Sequence, residues 1–186
     1  NGDVRPICVG ESIFRLLGRA VVRAIAEKAE LALRPWQFGV GVPGGAEIVS
    51  HVCSLYREFT QEDFGWVETM EQLDIRNAFN TARRSSIWNG LCDNEEFLKL
   101  LPFFKYSYGS STPISLRNGD VIAYSATGVR QGDPLGPFFF ALALHPVLQH
   151  VGAQWPTVLP LAYLDDVQLL GKANEVAEAK EASRVR

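Results

Sequence analysis

The chain has few cysteines, no excess of positive charge and no apolar run long enough to cross a membrane. Cys8, Cys53 and Cys92 are odd in number and far apart among 186 residues. Neither a zinc-binding spacing nor a disulfide framework can be read from them, which fits a reducing compartment. The N-terminus lacks a signal-peptide pattern, so no membrane partner is expected. Internal repeats and low-complexity tracts are absent as well. With 18 basic and 21 acidic residues the net charge is −3, a balance that argues against a free-standing nucleic-acid binder.

What is present is a sizeable apolar fraction, 47%, enough for one domain with a core. Charge is unevenly placed. Residues 5–34 carry six basic and three acidic side chains, whereas residues 58–74 carry six acidic and no basic ones. A basic N-terminal region and an acidic centre suit a polyanion held over bound cations, although ordinary solvated helix faces would give the same pattern. The opening "NGDVRPI" has no Met and the closing "EASRVR" stops inside a helical pattern, so the chain reads as a fragment.

Apolar residues at 13, 14, 17, 20, 21, 24 and 25 have helical spacing and predict an amphipathic helix over 11–33, ended before Pro35. A Gly-rich loop, "PWQFGVGVPGGAE", leads to a second helix marked by Ile48, Val49, Val52, Cys53, Tyr56 and Phe59. The stretch 66–75 reads as a strand, with short helices near 81–91 and 94–106. "ISLRNGDVIAYS" predicts a hairpin about Asn118-Gly119, a dipeptide favoured in type I′ turns. After the loop "TGVRQGDPLGP", Pro137 suits the first helical position of "FFFALALHPVLQHV", which Pro146 would bend or end. Leu159–Leu164 and Val167–Leu170 predict a second hairpin, and a last helix covers 174–184. Mixed elements without regular βαβ alternation indicate an α+β domain.

That second hairpin places Asp165 and Asp166 together between apolar runs, where like charges repel and burial is costly. A surface turn would tolerate them. Another reading includes Asp74, at a strand end 91 residues earlier. Carboxylates from a strand end and a neighbouring hairpin tip can share two divalent cations, about 3.5–4 Å apart, as in phosphoryl transfer. Mg²⁺ suits such an all-oxygen site. Read singly, Asp74 is more readily a helix N-cap or a solvated strand end. In "GVRQGDPLGPFFF", Gly128, Gly132 and Gly136 allow close backbone approach to a ligand ahead of a helix N-terminus.

Taken in order, these stretches resemble the palm of a reverse transcriptase. "LDIRNAF" is similar to the first catalytic motif, "GVRQGDPLGPFFF" to the Gln-Gly-x-Pro-Leu-x-Pro motif, and "YLDD" to Tyr-x-Asp-Asp. "RPI" at 5–7 and "QFGVGVPGG" at 37–45 resemble finger motifs of the non-LTR retrotransposon branch. The resemblance covers nearly the whole chain. It implies a right-hand polymerase palm, an antiparallel sheet with packed helices, over residues 66–186. Residues 1–65 would be partial fingers, and the thumb would be missing.

The resemblance also implies roles. Asp74 and Asp165 would bind two Mg²⁺ ions, for which Mn²⁺ can substitute, with Asp166 as a less direct third carboxylate. Phe79 would be a steric gate against a 2′-hydroxyl, though a plain core phenylalanine fits the same position. Gln131 and Gly132 would line the pocket for nucleotide and template base, Arg5 would reach the triphosphate, and Tyr163 would support the primer end. Arg130 would touch template backbone or stand in solvent. The histidines read as structural. The implied partners are an RNA template, a DNA primer and deoxynucleoside triphosphates, with a thumb and an endonuclease domain belonging to a parent polyprotein. A nuclear location follows from the family's usual setting.

Three positions depart from the family pattern. Asn80 stands where a second Asp is frequent, and an Asn can still cap the following helix. Gly136 replaces a frequent Ser, and Leu164 is bulkier than the Ala or Met common before the Asp pair. Two other functions remain compatible with the sequence: a catalytically inert remnant of a retrotransposon polymerase, and an RNA-templated RNA polymerase, which Phe79 disfavours.

Overall fold

The computed structural model describes residues 9–60, 68–75 and 77–184. Arg5 and the "RPI" stretch lie outside the described residues, as do Cys8 and the first two positions of the expected strand over 66–75. The chain divides into two compact units, one of residues 1–28 and 76–143, the other of 29–75 and 144–186. Helices α1 (Ser12–Leu33) and α6 (Gly136–Gln154) each run from one unit into the other. Among the described residues no helix is long and apolar enough to cross a membrane.

The first unit is mainly helical. It contains α3 (Ala78–Thr81), α4 (Arg84–Cys92), a 3-10 helix (Glu95–Leu100) and α5 (Leu101–Tyr108). A hairpin of β2 (Thr112–Ser115) and β3 (Val121–Ser125) follows, then the first turns of α6. Its core is aromatic. Phe138 to Leu142 are five consecutive buried residues, because this part of α6 is covered on every side. Phe97 meets Phe138 edge-on at 4.9 Å, and Phe104 meets Phe139 the same way at 5.1 Å. Such tilted contacts set the positive ring edge against the negative face.

Two local expectations are corrected here. The β2–β3 hairpin forms, but its turn is not type I′: Gly119 has φ +94°, while Asn118 stays out of the left-handed region. Gly119 N–H instead closes a turn onto Leu116 C=O, and Leu116 N–H pairs with Asp120 C=O. The longer loop goes with a register shift at Ile114/Ser115, which a two-residue turn would not allow. Asn80 does not cap the following helix either. It lies within α3, its Nδ2 donating to Asn77 Oδ1 at 2.7 Å, and the N-cap of α4 is Arg83, which makes no side-chain cap.

The second unit is layered. Strands β1 (Glu68–Asp74), β5 (Asp166–Lys172) and β4 (Leu159–Tyr163) form an antiparallel sheet in the order β1-β5-β4. Residues 36–38 extend its edge. Ala162 donates to Trp36 C=O and Phe38 donates to Ala162 C=O, both at 2.7 Å. Alternate residues of β5 point to opposite faces. Val167 and Leu169 pack with Leu148 and Val151 of α6 and with Val176 and Ala179 of α7 (Ala173–Arg184). Leu170 packs on the other face with Val49 and Cys53 of α2 (Gly45–Thr60). Burial on both faces explains why β4 and β5 read as apolar runs without clean alternation.

Pro146 does not end α6, which continues to Gln154. An interior proline costs about 3 kcal/mol. Burying Leu148 and Val151 beyond it contributes roughly 1.5–3 kcal/mol each, enough to carry the helix through.

His145 beside it is 9% exposed, its ring 6.0 Å from that of Trp36, and its Nδ1 has no hydrogen-bond partner among the described residues. Burial holds its pKa below the ordinary 6.5. A histidine buried neutral contributes stability above its unfolded pKa and loses it as the pH falls below that value, because the unfolded chain then binds the extra proton. The urea midpoint is therefore expected to drop as the pH is taken below 6.5, and His145→Leu should flatten that part of the profile.

Candidate active site

The sheet brings three aspartates together along the chain's backbone in the second unit. β4 and β5 are joined by the two-residue turn Leu164–Asp165, across which Tyr163 pairs with Asp166. Asp74 is the last residue of β1 and the backbone partner of Asp166 at the final rung of the β1–β5 ladder. The fold thus gathers Asp74, Asp165 and Asp166 at one end of one sheet, with Tyr163 at the end of β4. Asp165 is half-buried, Asp166 and Tyr163 are exposed.

Leu164 takes φ +55°, a conformation that costs a non-glycine residue on the order of 1–2 kcal/mol. It sits where a tight hairpin turn demands positive φ. Gln37, 1% exposed, faces this turn. Its Oε1 accepts from Leu164 N–H at 2.8 Å and from Gly39 N–H at 2.9 Å, and its Nε2 donates to Leu164 C=O at 3.3 Å. Sequence reading placed Gln37 in a finger-like motif and gave it no contact. Nothing local signals a partner 127 residues away.

Among the described residues, no lysine or arginine pairs with Asp165 or Asp166. No three His, Cys, Asp or Glu side chains of the described set form a metal cluster, a set that excludes the Asp74 side chain. Two adjacent carboxylates without a cationic partner, on a solvent-facing tip, form a hard all-oxygen donor set of the kind a divalent cation such as Mg²⁺ fits.

The first unit holds the other predicted positions. Phe79 lies in α3, half-buried, stacked on Phe140 at 4.7 Å and 17°. Its backbone C=O accepts from Val129 N–H at 2.7 Å, tying α3 to the base of the loop that carries Gln131 and Gly132. Gln131 is half-buried and Gly132 exposed. Asp133 N–H bonds to Arg130 C=O at 3.1 Å, and Gly132, at φ +103°, occupies the third position of that turn, where a Cβ would be strained.

Below this loop is a network that sequence reading missed. Arg84 Nε donates to Gly128 C=O at 3.0 Å, Nη1 to Tyr108 C=O at 3.1 Å, and Nη2 to Ser125 C=O at 3.0 Å and Ser125 Oγ at 2.9 Å. One planar fork therefore ties α5, β3 and the loop together. Burial lowers the Arg84 pKa, the neighbouring Tyr108 opposes that shift and Arg130 adds to it.

Arg130 is half-buried and held by the protein itself. Its guanidinium lies over the Tyr108 ring, 4.8 Å from the centroid, and Nη2 donates to Ser107 C=O at 2.9 Å. Tyr108 O–H donates to Asp133 Oδ2, and Asp133 Oδ1 accepts from Leu135 N–H at 2.9 Å, just ahead of α6. Burial first, and then the Asp133 carboxylate, push the Tyr108 pKa up, so its hydroxyl stays protonated and donating. Arg84→Met would leave several carbonyls without their donor. It is expected to lower unfolding free energy by about 3 kcal/mol, with Arg84→Lys recovering only part, as urea denaturation would measure.

The reverse transcriptase (RNA-dependent DNA polymerase) family model matches residues 1–184. A 132 kDa protein of the retrotransposable element SLACS from Trypanosoma brucei gambiense is 26% identical over 192 residues, covering 98% of this chain and 16% of that protein. A Pol polyprotein of the type-1 retrotransposable element R2 from Nasonia vitripennis is 27% identical over 186 residues, covering 94% and 18%. The chain thus spans about a fifth or less of these relatives' length. Among solved structures, telomerase of Candida tropicalis in complex with a fragment of telomeric RNA matches with a TM-score of 0.55 at 14% identity, covering 91% of this chain and 30% of that one. Apo telomerase from the same organism, truncated of its C-terminal domain, matches with a TM-score of 0.59 at 12% identity, covering 93% and 37%. At these identities the likeness is one of fold, and it agrees with the expected α+β palm and fingers.

Proposed function

The chain belongs to the reverse transcriptase family, and from that premise we propose that it is the fingers and palm portion of a non-LTR retrotransposon polymerase, extending a DNA primer on an RNA template. The observation that carries this reading is the backbone placement of three aspartates: Asp165 in a two-residue turn, Asp166 opening β5, and Asp74 on the adjoining strand at the same rung.

In this reading Asp74 and Asp165 hold two Mg²⁺ ions, with Asp166 as the third carboxylate. Bound there, the ions would supply charge neutralisation for the attacking 3′-hydroxyl and for the departing pyrophosphate. The chain's own part is positioning and electrostatics. Phe79, anchored on one face by Phe140, leaves its remaining surface to exclude a 2′-hydroxyl. Gln131 and Gly132 line the nucleotide and template-base pocket, Tyr163 supports the primer end, and Arg5 takes the triphosphate. Residues 1–65 act as fingers and 66–186 as palm, in a parent protein that works in the nucleus with a thumb and an endonuclease.

The test is primer extension on an RNA template with deoxynucleotides and Mg²⁺. Extension that requires the aspartates supports the reading. No extension by the native chain favours the inert remnant.

A further inference from the structure

From the grip of one buried amide on the turn that carries Asp165, we infer that Gln37 is a positioning residue for that carboxylate. The inference rests on the polymerase reading for its functional consequence, and on geometry for its physical content.

The two-residue turn has little of its own to hold it. Leu164 adopts φ +55°, a region its side chain disfavours, and Asp165 follows directly. A turn held against a backbone preference persists only when its surroundings over-determine it. The Gln37 carboxamide does this by bonding both backbone groups of Leu164, accepting from its N–H at 2.8 Å and donating to its C=O at 3.3 Å. The same Oε1 accepts from Gly39 N–H at 2.9 Å, which fixes the amide's own orientation. Its backbone is anchored as well, because the flanking Trp36 and Phe38 both bond to Ala162 of β4. The gripping residue and the gripped hairpin therefore share one sheet.

Gly39 completes the arrangement. A Cβ there would stand 2.7 Å from both Leu164 N and Leu164 Cγ, closer than real Cβ contacts allow, so the chain passes the turn at this distance only as glycine. Gln37 and Gly39 together explain the spacing of "QFG" in terms of a turn more than 120 residues away. Neither residue is needed to bind a metal or a nucleotide for this role.

A glutamate at position 37 keeps the two acceptor contacts and sets a carboxylate against Leu164 C=O. A methionine keeps the length and loses all three bonds. Glycine at 164 adopts positive φ freely, so Leu164→Gly should make the turn independent of the grip. That compensation separates positioning from plain structural support.

The experiment uses the 186-residue chain and two readouts. Amide hydrogen exchange in Gln37→Met is expected to quicken about tenfold at Leu164 and Gly39, with Val167 and Leu169 in the strand unchanged. Primer extension by the same variant should lose about tenfold in kcat, with KM for the deoxynucleotide within about twofold. Adding Leu164→Gly should restore most of the kcat. Unchanged exchange at Leu164 would overturn the inference, as would equal quickening at Val167 and Leu169 or a failure of Leu164→Gly to restore kcat. If the native chain does not extend primers at all, the polymerase reading fails, while the exchange data still decide whether Gln37 holds the turn.

Discussion

Asp165→Ala is expected to lower primer extension by about 1,000-fold or more, because in the proposed function Asp165 would hold a divalent cation, which would supply several kcal/mol of charge stabilisation, and each 1.36 kcal/mol is a factor of ten. Folding should hardly change. Asp165 lies in a turn and Asp166 is exposed, whereas the hairpin is held by Val167, Leu169 and Leu170, all nearly fully buried. Removing one of two adjacent like charges even relieves repulsion at the tip. The melting temperature of the variant should therefore match or slightly exceed that of the native chain. Asp166→Ala should cost less activity, as the less direct third carboxylate. Extension that survives both substitutions would mean that these aspartates are misassigned. A large fall in melting temperature would mean that they serve the fold.

The parts of this fold that were legible in the sequence are those set by period and punctuation. The helix of residues 12–33, the strand ending at Asp74 and the hairpin with aspartates at its tip all appear within a residue or two of expectation. Apolar spacing and breaker residues act locally, so a single sequence carries them. Elements fixed by packing were less legible. Pro146 reads as a bend or an end because its cost is local, while the burial of Leu148 and Val151 that carries the helix past it is not. Asn118-Gly119 looked like a two-residue turn because the register shift in β2 lies outside the dipeptide. Residues 94–106 read as one helix but begin as a 3-10 helix over Glu95–Leu100, with Asn94 Oδ1 accepting from Glu96 N–H.

The same division runs through the candidate site. The residues proposed to bear the chemistry stand out in the sequence because their types are conspicuous: paired aspartates, a Gly/Pro loop, an aromatic five positions after an aspartate. The residues that hold them do not. Arg84 looks like any helix-start arginine until its fork is seen reaching Tyr108, Ser125 and Gly128. Arg130 reads as facing template or solvent, and nothing beside it in the sequence marks the contacts its guanidinium makes with the Tyr108 ring and Ser107 C=O. Gln37 depends on a contact across most of the chain. Supporting contacts are long-range and use backbone carbonyls and amides, which every residue possesses, so no pattern in the sequence marks them.

Phe79→Ala should relax discrimination against ribonucleotides by about 100-fold, the scale on which an apolar wall rejects an added hydroxyl. The structure sharpens the choice between a gate and a plain core residue. Phe79 is half-buried, unlike Phe138, Phe139 and Phe140, which are 4% exposed or less. One face is held against Phe140, which fixes the ring while leaving the rest of it available. A core phenylalanine replaced by alanine costs about 3–5 kcal/mol. A half-buried one should cost roughly half of that, so the variant should stay folded and remain measurable. Reading kcat/KM for each nucleotide separates the alternatives: a gate predicts a rise for the ribonucleotide with little change for the deoxynucleotide. A parallel fall for both would place Phe79 among packing residues. Efficient ribonucleotide use by the native chain would favour an RNA-templated RNA polymerase, since a ring already in place would then be excluding nothing.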